Sequence, residues 1–206
     1  TAIVTGGARG IGGGTARKLA VGGAHVLIVD VEESSAKKNV DTIRASGGQA
    51  DFMIGDVSEE GVVKEMVNRA VSQTGRLDIL VQNAYGGNAH AFGSAVDISS
   101  DQWDRGLGLL ARSLFLGAKY AVPAMEESGN VGGSSPDDWT GAGLRHGMAP
   151  NQNVGRIVNI SSVHGMLQAP KALIYESGKA AVIGLTRQMA VDFGPRGITV
   201  NAIAPG

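Results

Sequence analysis

The chain has 206 residues, of which 43% are hydrophobic and 18% are charged, with a formal net charge of −1 and no cysteine. This length suits one domain with a full core, and the balanced charge argues against nucleic acid as a partner, because phosphate backbones are bound by clustered lysine and arginine. Without cysteine there are no disulfides or zinc–thiolate sites, and no apolar run reaches the ~18 to 20 residues of a membrane span.

Short apolar runs rich in β-branched residues alternate along the chain with longer stretches of helical period. The runs predict strands at 1–5, 24–30, 49–55, 77–82, 155–162 and 197–203. The stretches between them predict helices near 10–22, 33–46, 58–74, 100–125 and 172–194. Runs such as residues 26–29 are apolar on both faces, as in a parallel sheet covered by helices on each side. We therefore expect a three-layer, doubly wound α/β fold (a Rossmann fold) of strand order 3-2-1-4-5-6, which binds ligands beyond the carboxyl ends of its strands.

The segment at residues 126–153 interrupts this alternation. It is rich in Gly, Ser, Asn, Asp and Pro, whereas connections in α/β units usually run ~2 to 6 residues. The segment joins a helix end to a strand start, so it should lie on the edge opposite the ligand crevice. We interpret it as a solvated surface insertion, with contact to another subunit or partner as the alternative.

A glycine-rich loop follows the first predicted strand. Residues 5–12, here called the glycine loop, read Thr-Gly-Gly-Ala-Arg-Gly-Ile-Gly. Glycines let a backbone turn tightly and approach a phosphate, whose charge the amides of a helix N-terminus stabilise. The position between the strand and helix of the first βαβ unit predicts a dinucleotide-binding loop, with a turn that binds no ligand as the alternative. Its predicted cofactor-binding residues are Gly6, Arg9, Gly10, Ile11 and Gly12.

Asp30 ends the second predicted strand about 20 residues beyond the glycines, where a carboxylate can accept hydrogen bonds from the adenosine ribose. It would repel a 2′-phosphate, which favours NAD over NADP. Arg9 is the counter-signal, since a guanidinium in the loop could pair with that phosphate. We weigh Asp30 more heavily and expect NAD, although an ordinary turn residue is the alternative for Asp30.

Tyr175 and Lys179 are four residues apart at the start of a predicted helix, so their side chains share one face. A neighbouring ammonium favours phenolate over phenol, which suits Tyr175 to act as a general acid/base on a carbonyl or alcohol oxygen. Ser162 ends a predicted strand 13 residues earlier and can orient the substrate oxygen by a hydrogen bond. For Ser161 and Ser162 the alternative is a turn or capping role.

Together these residues resemble the short-chain dehydrogenase/reductase family in its compact single-domain form, over the whole chain except 126–153. The resemblance implies that Tyr175 exchanges the proton, Ser162 holds the substrate oxygen and Lys179 binds the nicotinamide ribose, while hydride passes between substrate carbon and nicotinamide. The implied substrates are secondary alcohols and ketones. Beside Tyr175 and Lys179, the further cofactor contacts that the resemblance implies are Asp56, Val57, Asn83, Ala84, Pro205 and Gly206.

Two residues depart from the family pattern. Tyr85 stands where the family motif Asn-Asn-Ala-Gly has glycine, and it either crowds the nicotinamide side or turns outward. Leu110 stands where family members usually carry an asparagine that supports a water chain to the lysine. Because leucine neither donates nor accepts a hydrogen bond, we expect the proton relay to use another route or to be slower. Gly106 and Gly108 should weaken the same helix by about 1 kcal/mol each.

The resemblance also implies a homodimer or homotetramer assembled through the helices at 100–125 and 172–194. The lack of cysteine fits a reducing compartment, so a cytoplasmic location is the default expectation; the chain starts inside a strand, where a preceding targeting segment would not be seen. The chain stops at Gly206, where family members continue with a substrate-binding loop and a final strand, so we expect those elements outside it. The four histidines lack metal-ligand spacing, and His164 could line the site.

Three functions compete at this point. The leading one is an alcohol/ketone oxidoreductase that uses NAD(H). The second is a catalytically weak dinucleotide-binding protein with a partner-binding role through 126–153; Tyr85 and Leu110 favour it, and the intact Ser162, Tyr175 and Lys179 set argues against it. An acyl hydrolase would need a Gly-x-Ser-x-Gly pentapeptide, which the sequence lacks.

Overall fold

The computed structural model describes residues 1–86, 92–129 and 154–206, in which strands and helices alternate. The strands are β1 (Ala2–Thr5), β2 (His25–Asp30), β3 (Gln49–Ile54), β4 (Ile79–Gln82), β5 (Gly155–Ile160) and β6 (Ile198–Ile203). The helices are α1 (Gly10–Val21), α2 (Glu33–Ala45), α3 (Glu60–Thr74), α4 (Ser100–Leu107), α5 (Ser113–Gly129) and α6 (Leu173–Phe193). Within these ranges no helix is both long and apolar enough to cross a membrane.

The six strands form one parallel sheet in the order β3-β2-β1-β4-β5-β6. This confirms the predicted fold class and strand order. Successive residues of a strand point to opposite faces, so Ile3 packs with α3 and α5 residues on one face while Val4 packs with α1 and α2 residues on the other. Both residues are fully buried, which is why β1 reads as a continuous apolar run.

The helix predicted at 100–125 is interrupted and longer than expected. A π-helical turn at Gly108–Arg112 separates α4 from α5, and α5 continues to Gly129. The first four residues of the predicted insertion are therefore helical. Contacts with distant segments account for this extension: Glu126 pairs with Arg196, and the Ser128 hydroxyl oxygen accepts the Leu77 N–H at 2.8 Å. Residues 130–153, the rest of the predicted insertion, lie outside the described residues.

Two glycines let α4 and the π-helical turn pack closely on α6. A Cβ atom on Gly106 would clash with the Ile174 side chain, and one on Gly178 would lie 2.6 Å from Leu110. Gly106 was expected only to weaken its helix, but here its missing side chain allows the contact. The close packing places the helix that carries Tyr175 and Lys179 against the segment that carries Leu110.

Candidate active site

The glycine loop packs tightly against the end of β4. Gly6 adopts φ +62°, and a Cβ atom there would lie 2.8 Å from the Ala84 Cα. A Cβ atom on Gly12 would clash with the Gly6 carbonyl oxygen and the Asn83 side chain. The loop therefore needs glycine at both positions, because any side chain would push its two ends and β4 apart.

Thr5 and Asn83 fix this arrangement by hydrogen bonds. The Thr5 Oγ1 accepts the backbone N–H groups of Asn83 at 3.0 Å and Ala84 at 3.2 Å. The Asn83 Nδ2 donates in turn to the Gly6 carbonyl oxygen at 3.0 Å. Hydrogen bonds thus join the ends of β1 and β4, and Asn83 and Ala84 lie beside the glycine loop.

Asp30 also contacts the glycine loop. Its Oδ2 accepts the Ala8 N–H at 3.0 Å, and its Oδ1 accepts the Glu32 N–H at 3.1 Å. The Arg9 guanidinium lies 3.9 Å from the Glu32 carboxylate. Arg9 therefore lies near an exposed carboxylate that was not singled out from the sequence, and two acidic side chains lie at the end of β2.

A cavity of about 910 Å³ runs along the carboxyl ends of β1, β2, β3 and β4. This volume is within the usual range of ligand pockets, roughly 300 to 1,000 Å³. Nine predicted cofactor residues line it, namely Gly6, Arg9, Gly10, Ile11, Asp30, Asp56, Val57, Asn83 and Ala84. At α1 the N-cap residue Arg9 makes no capping bond with its side chain, so the amides of the first turn stay available to an anion.

Tyr175 and Lys179 occupy the first two turns of α6, one turn apart as predicted. The Lys179 side chain is buried, with 4% of the residue exposed, and its Nζ donates to the Ile160 carbonyl oxygen at 2.7 Å. The same nitrogen is 5.8 Å from the centre of the Tyr175 ring. Burial lowers the pKa of Lys179 to about 8. The ammonium therefore persists at neutral pH close to Tyr175.

We expect this buried ammonium to make stability depend on pH. Because the pKa of Lys179 falls from 10.5 in the unfolded chain to about 8 in the folded chain, the unfolded chain binds more protons between these values, so stability should rise with pH there. Methionine does not titrate. Relative to Lys179→Met, the wild type should therefore gain about 2 to 3 kcal/mol in the free energy of unfolding between pH ~7 and ~10.

Urea unfolding of both proteins across this pH range measures the gain. Lys38→Met is the matched control, because Lys38 is exposed on α2 and removing an ammonium from water should leave the pH profile of the wild type unchanged. The prediction would be contradicted if the free energies of unfolding of the wild type and Lys179→Met differed by the same amount at every pH in this range.

Ser162 follows β5 and is buried. Its Oγ accepts the His164 N–H at 3.2 Å, so part of its role is to cap the short 3₁₀ turn at Val163–Gly165. Ser161 is turned differently, and its Oγ donates to the Lys179 backbone carbonyl at 2.8 Å. The two serines therefore have different contacts. Ser161 links the end of β5 to α6, and Ser162 lies at the start of the loop that follows β5.

The other predicted residues lie beside the Ser162 loop. The Pro205 carbonyl oxygen accepts the Val163 N–H at 3.0 Å, and a Cβ atom on Gly206 would be 3.3 Å from the Val163 side chain. Among the described residues, Ser162, Tyr175, Lys179 and these two are not part of the cavity lining. The structure therefore groups the predicted residues in two neighbouring sets.

Tyr85 lies between these two sets. Its side chain lines the cavity, and its ring centre is 4.9 Å from that of Tyr175, with an interplanar angle of 51°. The Lys179 Nζ is 5.5 Å from the Tyr85 ring centre. Burial, followed by the charge of Tyr175, raises the pKa of Tyr85. Tyr85 is 42% exposed, and its ring faces Tyr175 and Lys179 rather than pointing away from them.

Two features of the site were missed by sequence reasoning. Glu176 is buried, and its Oε1 is 2.9 Å from His164 Nδ1 and accepts the Ala169 N–H at 2.6 Å. This carboxylate ties the loop after Ser162 to α6, and no spacing rule relates it to His164. Leu110 packs with Ile174 into a small apolar cluster that also contacts Tyr175. Because Gly178 has no side chain, it leaves room for the Leu110 side chain. Only the packing of the helices reveals this fit.

Comparisons with known proteins agree with this geometry. The sequence profile described as "Enoyl-(Acyl carrier protein) reductase" matches residues 6–135, and that described as "short chain dehydrogenase" matches residues 139–206. An uncharacterized oxidoreductase of Thermotoga maritima is 35% identical over 204 residues, which are 99% of this chain and 70% of that protein. The chain belongs to the short-chain dehydrogenase/reductase family.

Characterised members of the short-chain dehydrogenase/reductase family are also similar. Cyclopentanol dehydrogenase of Comamonas sp. is 33% identical over 204 residues, 99% of this chain and 71% of the relative. The crystal structure of a 3-ketoacyl-ACP reductase from Sinorhizobium meliloti superimposes with a TM-score of 0.83 at 31% identity, covering 100% of this chain and 71% of that one. These findings confirm the predicted family and support a dehydrogenase or reductase role.

Proposed function

We propose that this protein transfers a hydride between a nicotinamide dinucleotide and a secondary alcohol or ketone. The observation that carries the proposal is the buried Lys179 ammonium 5.8 Å from the ring of Tyr175, one helical turn away. A positioned phenol can act as a general acid/base on a carbonyl or alcohol oxygen. The cavity beside this pair is large enough for most of a dinucleotide.

Each side chain of the catalytic set has a separate task in this proposal. In ketone reduction the Tyr175 hydroxyl donates its proton to the carbonyl oxygen, and in alcohol oxidation the phenolate takes the proton back. Because Ser162 Oγ accepts the His164 N–H, its own proton can be donated to the substrate oxygen and orient it. Lys179 holds its ammonium beside the Tyr175 ring. The nicotinamide, when bound, supplies or accepts the hydride.

The residues around the cavity fit a dinucleotide. Gly6 and Gly12 let the glycine loop pack closely on the end of β4, and Gly10 and Ile11 bring the first turn of α1 to the cavity wall. Asp30 at the end of β2 would bind the adenosine ribose, with Asp56 and Val57 beside the adenine. Pro205 and Gly206 would lie near the nicotinamide, because the Pro205 carbonyl oxygen accepts a hydrogen bond from Val163 in the loop after Ser162.

We propose NAD rather than NADP as the cofactor. Asp30 and Glu32 both line the cavity at the end of β2, and Arg9, the counter-signal, is 3.9 Å from the Glu32 carboxylate. A 2′-phosphate would therefore meet two carboxylates, against one exposed guanidinium that itself lies near Glu32. Repulsion between like charges disfavours the phosphorylated dinucleotide.

Replacing Asp30 by asparagine should relax this preference. The asparagine side chain would keep an oxygen for the Ala8 N–H while the charge is removed, so the ratio of NADPH to NADH affinity should rise about tenfold or more. Calorimetric titration with both dinucleotides measures the ratio. Glu33→Ala, which removes an exposed carboxylate outside the cavity lining, should leave it unchanged. If Asp30→Asn left the ratio of NADPH to NADH affinity unaltered, the proposal of NAD as the cofactor would be contradicted.

The proposed reaction is tested by following NADH and NADPH absorbance with a panel of carbonyl compounds. Cyclic ketones and 3-ketoacyl thioesters head the panel, because the relatives include a cyclopentanol dehydrogenase and a 3-ketoacyl-ACP reductase. Turnover with any of them supports the proposal. Micromolar NADH binding with no turnover across the panel would instead favour the catalytically weak dinucleotide-binding protein, for which Leu110 at the asparagine position is the specific reason.

The oligomeric state stays a prediction.

A further inference from the structure

The ring of Tyr85 lies where the cavity ends and the catalytic pair begins. Ala84, Tyr85 and Gly86 line the cavity, whereas Tyr175 and Lys179 do not belong to its lining. The Tyr85 ring contacts both of them, at 4.9 Å from the Tyr175 ring and 5.5 Å from the Lys179 Nζ. A ligand that extends from the cavity to the catalytic pair therefore has to pass Tyr85.

A hydroxyl group does not fit on the line between the Lys179 Nζ and the centre of the Tyr85 ring. One Nζ proton is donated to the Ile160 carbonyl oxygen at 2.7 Å, and the Tyr85 ring lies 5.5 Å from the same nitrogen. A sugar hydroxyl bonded to Nζ at the usual ~2.9 Å on this side would lie only about 2.6 Å from the ring centre. The ring and a ribose cannot both occupy this position.

We propose that the Tyr85 ring competes with the nicotinamide nucleoside for Lys179, and that Tyr85 thereby sets the affinity for the nicotinamide half of the dinucleotide. This inference rests on the proposed function. The ring gives the buried ammonium a cation–π contact, which a ribose replaces with hydrogen bonds once Tyr85 has turned away. The adenine half would bind at Asp30 and the glycine loop, away from the contact between the Tyr85 ring and Lys179.

Binding of AMP and NADH to Tyr85→Ala separates the two halves. NADH should bind about 3- to 30-fold more tightly than to the wild type, the size of a cation–π contact that no longer has to be broken. AMP, which covers only the adenine half, should bind within about two-fold of the wild type and so report an intact fold. Calorimetric titration of the protein with each ligand gives both dissociation constants without turnover.

Two further variants locate the cause of the gain. Tyr85→Phe keeps the ring, so its NADH affinity should stay within about two-fold of the wild type. In the Lys179→Met background, Tyr85→Ala should give no gain, because the ammonium for which the ring competes is absent; this double-mutant cycle isolates the pair. A gain in Tyr85→Phe, or one that persists without Lys179, would assign the effect to the hydroxyl or to general loosening and overturn the proposal.

The remaining outcomes are also decisive. Equal or weaker NADH binding by Tyr85→Ala, with AMP binding retained, would overturn the inference alone and would show that the ring is neutral toward the nicotinamide or supports it. Failure of the wild type to bind either AMP or NADH would overturn the proposed function and the inference together. The AMP measurement therefore distinguishes the two failures.

Discussion

Tyr175→Phe should lower turnover about 10²- to 10⁴-fold, the usual contribution of a positioned general acid/base. The substitution removes one oxygen atom and keeps the ring that packs against Tyr85 and the Leu110 cluster. Nicotinamide dinucleotide affinity should therefore change by no more than about two-fold. Steady-state kinetics with the best substrate of the carbonyl panel, together with NADH titration, measures both quantities.

Tyr120→Phe is the matched control for this loss. The Tyr120 hydroxyl lies away from the catalytic set and donates to the Glu60 carboxylate at 2.8 Å on the surface between α3 and α5. The Tyr120→Phe substitution removes the same atom from the same residue type as Tyr175→Phe. Because this hydroxyl lies outside the catalytic set, turnover should stay at the wild-type level. Retained turnover in Tyr175→Phe would refute the proposed role of this phenol and direct attention to another proton donor.

Gly12→Ala should weaken the binding of AMP and NADH alike, by about 10- to 100-fold. A Cβ atom on Gly12 would clash with the Gly6 carbonyl oxygen and with Asn83, so the glycine loop would have to move away from β4. Overpacking of this kind costs about 1 to 3 kcal/mol, and here the displaced residues, Gly6 and Asn83, line the cavity. Titration with both ligands and urea unfolding measure the effect.

Gly14→Ala is the control within the same helix. The nearest atom to a Cβ on Gly14 is the Arg17 Nη2, at 3.9 Å, so the added methyl group meets no obstacle. Alanine should stabilise α1 by about 1 kcal/mol and leave ligand affinity unchanged. Equal losses in both variants would mean that the helix start, rather than the close contact at Gly12, determines binding.

Most of the fold was predictable because its signals are local. Each strand of the sheet appears in the sequence as an apolar run, and each crossover as a stretch of helical period, so the elements and the strand order agree with the structure. The end of α5 was not predictable. Glu126 and Ser128 read as loop residues, and they are held in the helix by Arg196 and Leu77, which lie far away in the chain.

The candidate site, like the fold, has some features that were predictable from the sequence and others that were not. Of the residues that line the cavity, those of the glycine loop and Asp30 could be named from the order of strand, glycine and acidic residue, whereas Asp56, Val57, Asn83 and Ala84 were named from the family resemblance. The pairing of Arg9 with Glu32 and of His164 with Glu176 could not be predicted, since side-chain partners across separate loops leave no spacing pattern. These partners nevertheless bear on cofactor choice and on the position of the Ser162 loop.

The sequence by itself determined the parallel fold, the position of the glycine loop after β1 and the spacing of Tyr175 and Lys179 on one helix face, because glycine spacing and a four-residue helical repeat fix local geometry. Only the tertiary structure decided what surrounds that pair. It turned Tyr85 inward over Lys179, packed Leu110 into the room left by Gly178, and buried the ammonium enough to lower the pKa of Lys179 to about 8. All three depend on how closely α4, α6 and the end of β4 approach one another, which is a property of the packed chain.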